Sequence, residues 1–436
     1  MDSKGAAGVG QEVAAAERDL RIDGWWHKGV WPRFADMSPD EAIKRGVSVF
    51  SDDTVTPLAL LRRTAVEHNA VTMRDYCAAH GVDLAPHGKT TMSPELIELQ
   101  LAHGAWGITA ATIWQVSMLR RFGVARIILA NELVDPSGLR WLAGELSRDE
   151  RLEFFCYVDS VAGVDLMTDV LDDAGFAGQV DVLVEVGADG GRTGCRALAD
   201  VVGVAQRVAA SPRLRLRGVA AFEAVFGRRT PETVARVGHF LERVRAAFTR
   251  LRDGDLFPAD LDAILTAGGS AFFDQVVKVL APGWSPEPPV RVVLRSGCYL
   301  THDHGGYQLM SPLDAQRFAG GLRPAIEVWG RVLSHPEPGL AFADIGRRDV
   351  SHDSFLPRPL LLRQRGADRN VPLDGVTVTA LNDQHAYLET PVPSPLQVGD
   401  LVGFGISHPC TTFDRWRVLT VVEDDDTIAG LAHTWF

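Results

Sequence analysis

The chain has 436 residues, 46% of them hydrophobic and 23% charged, and a formal net charge of −12. That length exceeds one typical hydrophobic core and predicts two domains. The acidic balance, with no basic cluster against it, excludes a nucleic-acid partner, because such a partner needs a basic face to neutralise phosphates.

The N-terminus, MDSKGAAGVGQEVAAAERD, has no basic stretch followed by an apolar one, so it does not read as a secretory leader. No apolar run reaches the roughly 18 residues of a spanning helix, so no membrane partner is expected. Five scattered cysteines do not form a disulfide framework, and a reducing cytoplasm is the expected compartment. Residues 1–50, with Trp25, Trp26 and Trp31, show no clear period and are read as a segment that packs on a later β-domain.

Residues 51–305 alternate short β-rich runs with stretches of helical spacing. The runs are VDLAPHGK near 82, WGITAA near 106, RIILAN near 126, LEFFCYVD near 152, VDVLVEVG near 181, LRGVAAFE near 216, AILTAGG near 263 and VRVVLRSG near 290. Helices are predicted between them, for example after Ser93 and after Ser160, which are suitable N-caps. Eight β-runs, with no G-x-G-x-x-G after the first, predict an α/β fold of the (β/α)8 TIM-like barrel type rather than an open doubly wound sheet. From 306 to 436 the texture changes to short β-rich runs broken by Gly and Pro, a C-terminal β-domain, with 346–370 as its longest loop.

A barrel places its active site at the C-terminal ends of its strands. The first such end offers His87, Gly88 and Lys89. A solvated surface lysine would look the same in sequence. At a strand end, however, partial desolvation would lower the pKa of Lys89 and make it nucleophilic. The seventh end gives Thr266, Gly268, Gly269 and Ser270, and the eighth gives Arg295, Gly297 and Tyr299. Either could be an ordinary glycine turn, but barrels often bind phosphate after these two strands through close backbone N–H groups. Arg192, within a glycine-rich turn after the fifth run, could face a cofactor or a surface carboxylate. In the β-domain, His408 and Cys410 form an H-x-C. On a strand these two would share a face and could chelate one ion, with thiolate favouring zinc. An ordinary hydrogen-bonded histidine beside a small buried cysteine fits the spacing equally. His385 is a further candidate ligand, although a hydrogen-bonded structural histidine fits equally, and His302 and His304 are read as structural or outer residues.

Taken together, APHGKTTMSPELI, EVGADGGRTG, TAGGS, SGCYLTHD and SHPCTTFDRW resemble, in order, the motifs of the fold-type III pyridoxal-phosphate (PLP) enzymes. Those enzymes carry an alanine racemase N-terminal-like barrel. The resemblance covers most of the chain from about residue 50 and points to the D-serine dehydratase and D-threonine aldolase branch, with likeness to amino acid deaminases. It implies that Lys89 binds PLP as a Schiff base. His87, Arg192, Thr266, Gly268, Gly269, Ser270, Gly297 and Tyr299 would surround the cofactor, and His408 with Cys410 would bind zinc. It also implies a homodimer acting on a small D-amino acid. The H-x-C, where aldolases of the branch more often carry H-x-D, points to metal-assisted β-elimination of a substrate such as D-serine or D-threonine to a 2-oxo acid and ammonia. Retro-aldol cleavage to glycine and an aldehyde is the nearest alternative, and a non-catalytic PLP carrier is the alternative of another class. The chain departs from its relatives at Phe222–Val225 and at Asp383–Ala386, which bears on the choice of substrate.

Overall fold

In chain order the first strand, β1 (Leu58–Arg62), is followed by eight strands that alternate with helices. These are β2 (Asp83–Leu84), β3 (Ile108–Ala110), β4 (Arg126–Glu132), β5 (Glu153–Val158), β6 (Val180–Val186), β7 (Leu214–Ala221), β8 (Ala263–Ala267) and β9 (Val290–Leu294). They form one parallel sheet in the order β2-β9-β8-β7-β6-β5-β4-β3. These are the eight runs read from the sequence. The computed structural model describes residues 28–29, 39–50, 54–284 and 289–436, so Trp25, Trp26 and Trp31 lie outside the described residues.

The sheet closes at a narrow seam. His87, beyond the end of β2, bridges Thr109 of β3. The Thr109 N–H donates to Pro86 O at 2.9 Å, and its hydroxyl donates to Ala85 O at 2.6 Å. The interior is packed by Ala85, Ile128, Phe155, Tyr157, Leu183, Ala220, Ile264 and Val293. Because side chains alternate along a strand, the residues two places further on share that interior face. On β6 the inward column runs Asp181, Leu183, Glu185. Asp181, at the start of the strand, holds Arg217 at 2.6 Å and Arg215 at 2.5 Å. On β7 a Cβ at residue 218 would lie 1.8 Å from Ile264 O, so only glycine lets β7 and β8 run this close. Gly218 also follows a register shift against β6.

The helices obey their sequence signals. Ser160 accepts from Gly163 N–H at 3.2 Å and caps the helix Val161–Asp173. Ser93 precedes the helix Pro94–Ala102. Its carbonyl takes Ile97 N–H, and its hydroxyl turns to Glu95 at 2.8 Å.

The second sheet holds β1 with the C-terminal strands β10 (Ile326–Glu337), β11 (Leu340–Ala343), β12 (Arg358–Arg363), β13 (Val371–Pro372), β14 (Thr377–Leu381), β15 (Ala386–Glu389), β16 (Leu401–Gly405), β17 (Val418–Val422) and β18 (Ile428–His433). Its main order is β13-β12-β16-β10-β1-β17-β18, with β11, β15 and β14 continuing from β10. β12 falls inside the stretch read as a loop, where Pro359–Arg363 find a partner strand in β16. β1 pairs antiparallel with β10 and parallel with β17, so Leu58–Arg62 belongs to this sheet and not to the barrel. Arg62 fixes it there through Glu327 at 3.0 Å and Asp426 at 2.7 Å. The core of this sheet is built on Val49, Phe50, Leu58, Leu60, Trp329, Val418 and Val422.

The chain thus divides into two compact units. The barrel unit is Met73–Lys89 with Gln100–Gly297. The β-unit takes the described residues up to Thr72, then Thr90–Leu99 and Cys298–Phe436. Among the described residues no helix is long and apolar enough to cross a membrane.

Candidate active site

In the barrel unit the interior columns end at the C-terminal mouth in polar groups. By the alternation set out above, β4 ends in Glu132, β5 in Tyr157 and β6 in Glu185. Thr266 of β8 and Arg295, just after β9, do the same. Arg295 is buried, yet its partners are neutral: Thr266 Oγ1 and Ala221 O, each at 2.6 Å. A buried guanidinium without a bound carboxylate is costly unless an anion completes it. Burial, followed by the charges of Lys89, Arg295 and Arg192, holds His87 well below the usual imidazole range, so it is neutral at pH 7. Its Nδ1 and the Tyr157 hydroxyl are buried without hydrogen-bond partners among the described residues. Across the mouth, burial and then the neighbouring Glu185 carboxylate push Glu132 up to about 8.

The sequence-derived residues fall around this mouth with some changes of role. Lys89 lies on a short 3-10 turn, Gly88–Thr90, and not on the strand itself. It is exposed, so the desolvation expected from a strand end is not found. Arg192 is also exposed and lays its guanidinium over Phe222, 4.4 Å from the ring centroid. Gly268, at φ +100°, needs glycine's freedom. The N–H groups of Gly268 and Gly269 donate to the fully buried Glu223 carboxylate at 3.0 and 2.7 Å. The Ser296 hydroxyl donates to Gly268 O and Gly269 O, both at 3.2 Å, and holds the same turn from its other side. Sequence reasoning did not assign roles to Arg295, Glu223 or Ser296. The signal for Arg295 was present, since it closes the apolar run Val292–Leu294 two places after the inward Val293.

These residues fit PLP. The mouth offers a lysine amine, a field of three cations and unpartnered buried polar atoms. The turn after β8 is closed by Glu223 at Gly268 and Gly269, and leaves the hydroxyl of half-buried Ser270 on the same turn.

In the β-unit, His408, Pro409 and Cys410 do not lie on a strand. β16 ends at Gly405, and Pro409, in helical conformation, starts the turn Cys410–Phe413. The shared-face argument therefore fails, but the turn still brings the two side chains together. His408 is raised to about 9, first by hydrogen bonding to Cys410 and then by Asp353, against its burial. His408 Nδ1 meets Asp353 Oδ2 at 2.6 Å, and Thr411 Oγ1 donates to Asp353 Oδ1 at 2.8 Å. Cys410 Sγ lies 3.4 Å from Thr90 Oγ1 and 3.7 Å from Cys298 Sγ. Hydrogen bonding to Cys298 is the largest of the causes that hold its thiol well below the usual range. An imidazole and a thiolate, with the imidazole fixed by a carboxylate, make a donor set that suits zinc. Among the described residues, no three or more His, Cys, Asp or Glu side chains already converge as a complete ion cage. Tyr299 is buried in the same unit. His302 is buried, His304 is half-buried, and His385 is exposed between β14 and β15.

Comparison with known proteins agrees with this architecture. The family described as "Alanine racemase, N-terminal domain" matches residues 61–302, and a serine dehydratase domain family matches 325–422. The D-threonine aldolase of an Arthrobacter species is 28% identical over 375 residues, covering 85% of this chain and 89% of that protein. Among solved structures, D-threonine aldolase from Filomicrobium marinum superposes with a TM-score of 0.71 at 24% identity, covering 88% of this chain and 95% of that one. A cysteine-to-alanine variant of D-threo-3-hydroxyaspartate dehydratase, in a metal-free form, gives 0.68 at 21% identity, covering 87% and 98%. Structural likeness at this identity speaks for the fold. The match over more than half of the chain speaks for descent, and the chain belongs to the alanine racemase N-terminal domain family, that is, to the fold-type III PLP enzymes, in the branch that carries a serine dehydratase domain.

Proposed function

We propose that this chain is a PLP-dependent lyase that eliminates the β-hydroxyl of a D-amino acid such as D-serine or D-threonine, yielding a 2-oxo acid and ammonia. The observation that carries the choice of reaction is the Cys410 thiol beside His408, itself held by Asp353 at 2.6 Å. Lys89 Nζ would hold the cofactor and, once substrate takes its place, accept the proton from Cα. Bound PLP supplies an electron sink for the carbanion left at Cα. Because Glu223 takes the Gly268 and Gly269 amides, the Ser270 hydroxyl and the Gly297 N–H would serve the phosphate from the two turns. Arg192, Thr266, Tyr299 and His87 complete the candidate cofactor shell, and Arg295 adds the buried positive charge. A divalent ion on His408 and Cys410, zinc in this reading, supplies a Lewis acid for the leaving hydroxyl. Asp353 would keep the His408 ring turned so that its other nitrogen faces the ion.

Incubation with a panel of β-hydroxy D-amino acids should release 2-oxo acid and ammonia. Chelation should stop that release while PLP stays bound. Release of glycine and aldehyde instead would favour retro-aldol cleavage, the second reading, which rests on the 28% identity to D-threonine aldolase. Full elimination in metal-free protein would remove the metal from the reaction.

A further inference from the structure

We infer that Cys298 is a third protein ligand of the metal, so that the ion is held by two thiolates and one imidazole. The inference rests on the metal reading above for His408 and Cys410, and adds a residue from a different part of the chain, 112 positions before Cys410.

The geometry is that of an ion edge. Two sulfurs each about 2.3 Å from a tetrahedral zinc stand about 3.8 Å apart. The Cys298 and Cys410 sulfurs are 3.7 Å apart, within the same unit. A disulfide would need about 2.05 Å, so the two sulfurs are not joined; 3.7 Å also suits plain contact between sulfurs, and it is the imidazole beside Cys410, held by Asp353, that makes the pair part of a donor set. Cys298 begins the turn after β9, and the His302 N–H donates to its carbonyl at 2.8 Å, which fixes the backbone that presents the thiol. From the other side, Cys410 is fixed by the short helix that starts at Pro409. His408 adjoins Cys410, and its far nitrogen is held by Asp353 at 2.6 Å, the usual outer partner of a ligating imidazole. The three donors do not yet enclose a point. Binding draws them onto the ion and releases the hydrogens now shared among His408, Cys410 and Cys298. Three protein ligands leave one tetrahedral position open, as a catalytic rather than a structural site requires. Two thiolates also select zinc over magnesium or manganese more strongly than one.

The test is cobalt substitution of the chelated full-length protein, with PLP left in place and its absorption subtracted using the metal-free protein. Thiolate-to-cobalt charge transfer in the near ultraviolet scales with the number of bound thiolates. Cys298→Ser and Cys410→Ser should each retain about half of the wild-type intensity, since sulfur is the soft donor and an alcohol replaces it poorly. Each should also weaken cobalt binding by more than the roughly 10–100-fold that loss of an outer partner costs. Far-UV circular dichroism checks that the variants are folded. Should Cys298→Ser misfold, Cys410→Ser alone decides, because any remaining charge transfer there must come from Cys298. Full intensity in Cys298→Ser, or none in Cys410→Ser, overturns the third ligand and leaves His408 with Cys410 as the site. Absence of charge transfer in the wild type overturns both this inference and the metal reading on which it rests.

Discussion

Glu132 and Glu185 end the inward columns of β4 and β6, on either side of β5, and their interaction has a measurable consequence. Glu132 is raised from 4.5 to about 8, first by burial and then by Glu185. Between those two values the folded chain holds a proton that the unfolded chain has lost, so this group's contribution to stability falls as pH rises from about 4.5 to 8 and is constant outside that window. Glu132→Gln mimics the protonated form. The variant should therefore lose less thermal stability than wild type between pH 5 and 8, and melting curves across that range would show it; parallel pH profiles would contradict the assignment. Lys89 carries a second prediction at this scale. Borohydride should fix PLP covalently to the wild type and not to Lys89→Ala; a cofactor still fixed to one lysine of the variant would remove Lys89 from its role. Lys89, His408 and Cys410 could be singled out as candidates because each sits in a short local pattern. Asp353 was not, since it lies 55 residues before His408 and only the folded chain brings the pair to 2.6 Å.

At the scale of elements, the turn after β8 is where sequence and structure part most clearly. Two adjacent glycines suggested backbone donors waiting for a phosphate. The structure instead gives both N–H groups to Glu223, which follows β7 and whose role no local pattern announces. A Cβ on Gly269 would stand 3.1 Å from the Phe222 ring and 3.4 Å from Glu223 Oε1. Gly269→Val should therefore displace the buried carboxylate and harm folding as well as cofactor retention. The expected loss is about 1.5–3 kcal/mol, the range for hydrogen bonds to a buried charged group, read from the urea midpoint of the cofactor-free protein. Unchanged stability would mean that the turn does not depend on Glu223. The H-x-C teaches the same lesson: the strand periodicity invoked for it was absent, and a proline-started helical turn made the juxtaposition by other means.

For the whole molecule, the barrel was legible because parallel strands buried on both faces read as nearly continuous apolar runs; β6, VDVLVEV, is buried at every position, with only Asp181 and Glu185 interrupting it. The placement of β1 was not, because LALLR reads equally well as a barrel strand or as the centre of another sheet, and only pairing with β10 and β17 decides. The barrel's seam has a consequence for motion. β2 contributes only two residues to its ladder, and the ring is completed there by a few bonds, among them Trp106 N–H to Leu84 O at 2.7 Å and Thr109 N–H to Pro86 O at 2.9 Å. Local opening is easiest where few backbone hydrogen bonds must break together. In hydrogen–deuterium exchange the Trp106 and Thr109 amides should therefore exchange before those of β6 and β7. This seam adjoins the turn that carries Lys89, so PLP held there, binding only the closed form, should slow the same two amides as its concentration rises. Exchange at Thr109 that is as slow as in β6 and indifferent to PLP would mean that the ring is no weaker where it closes.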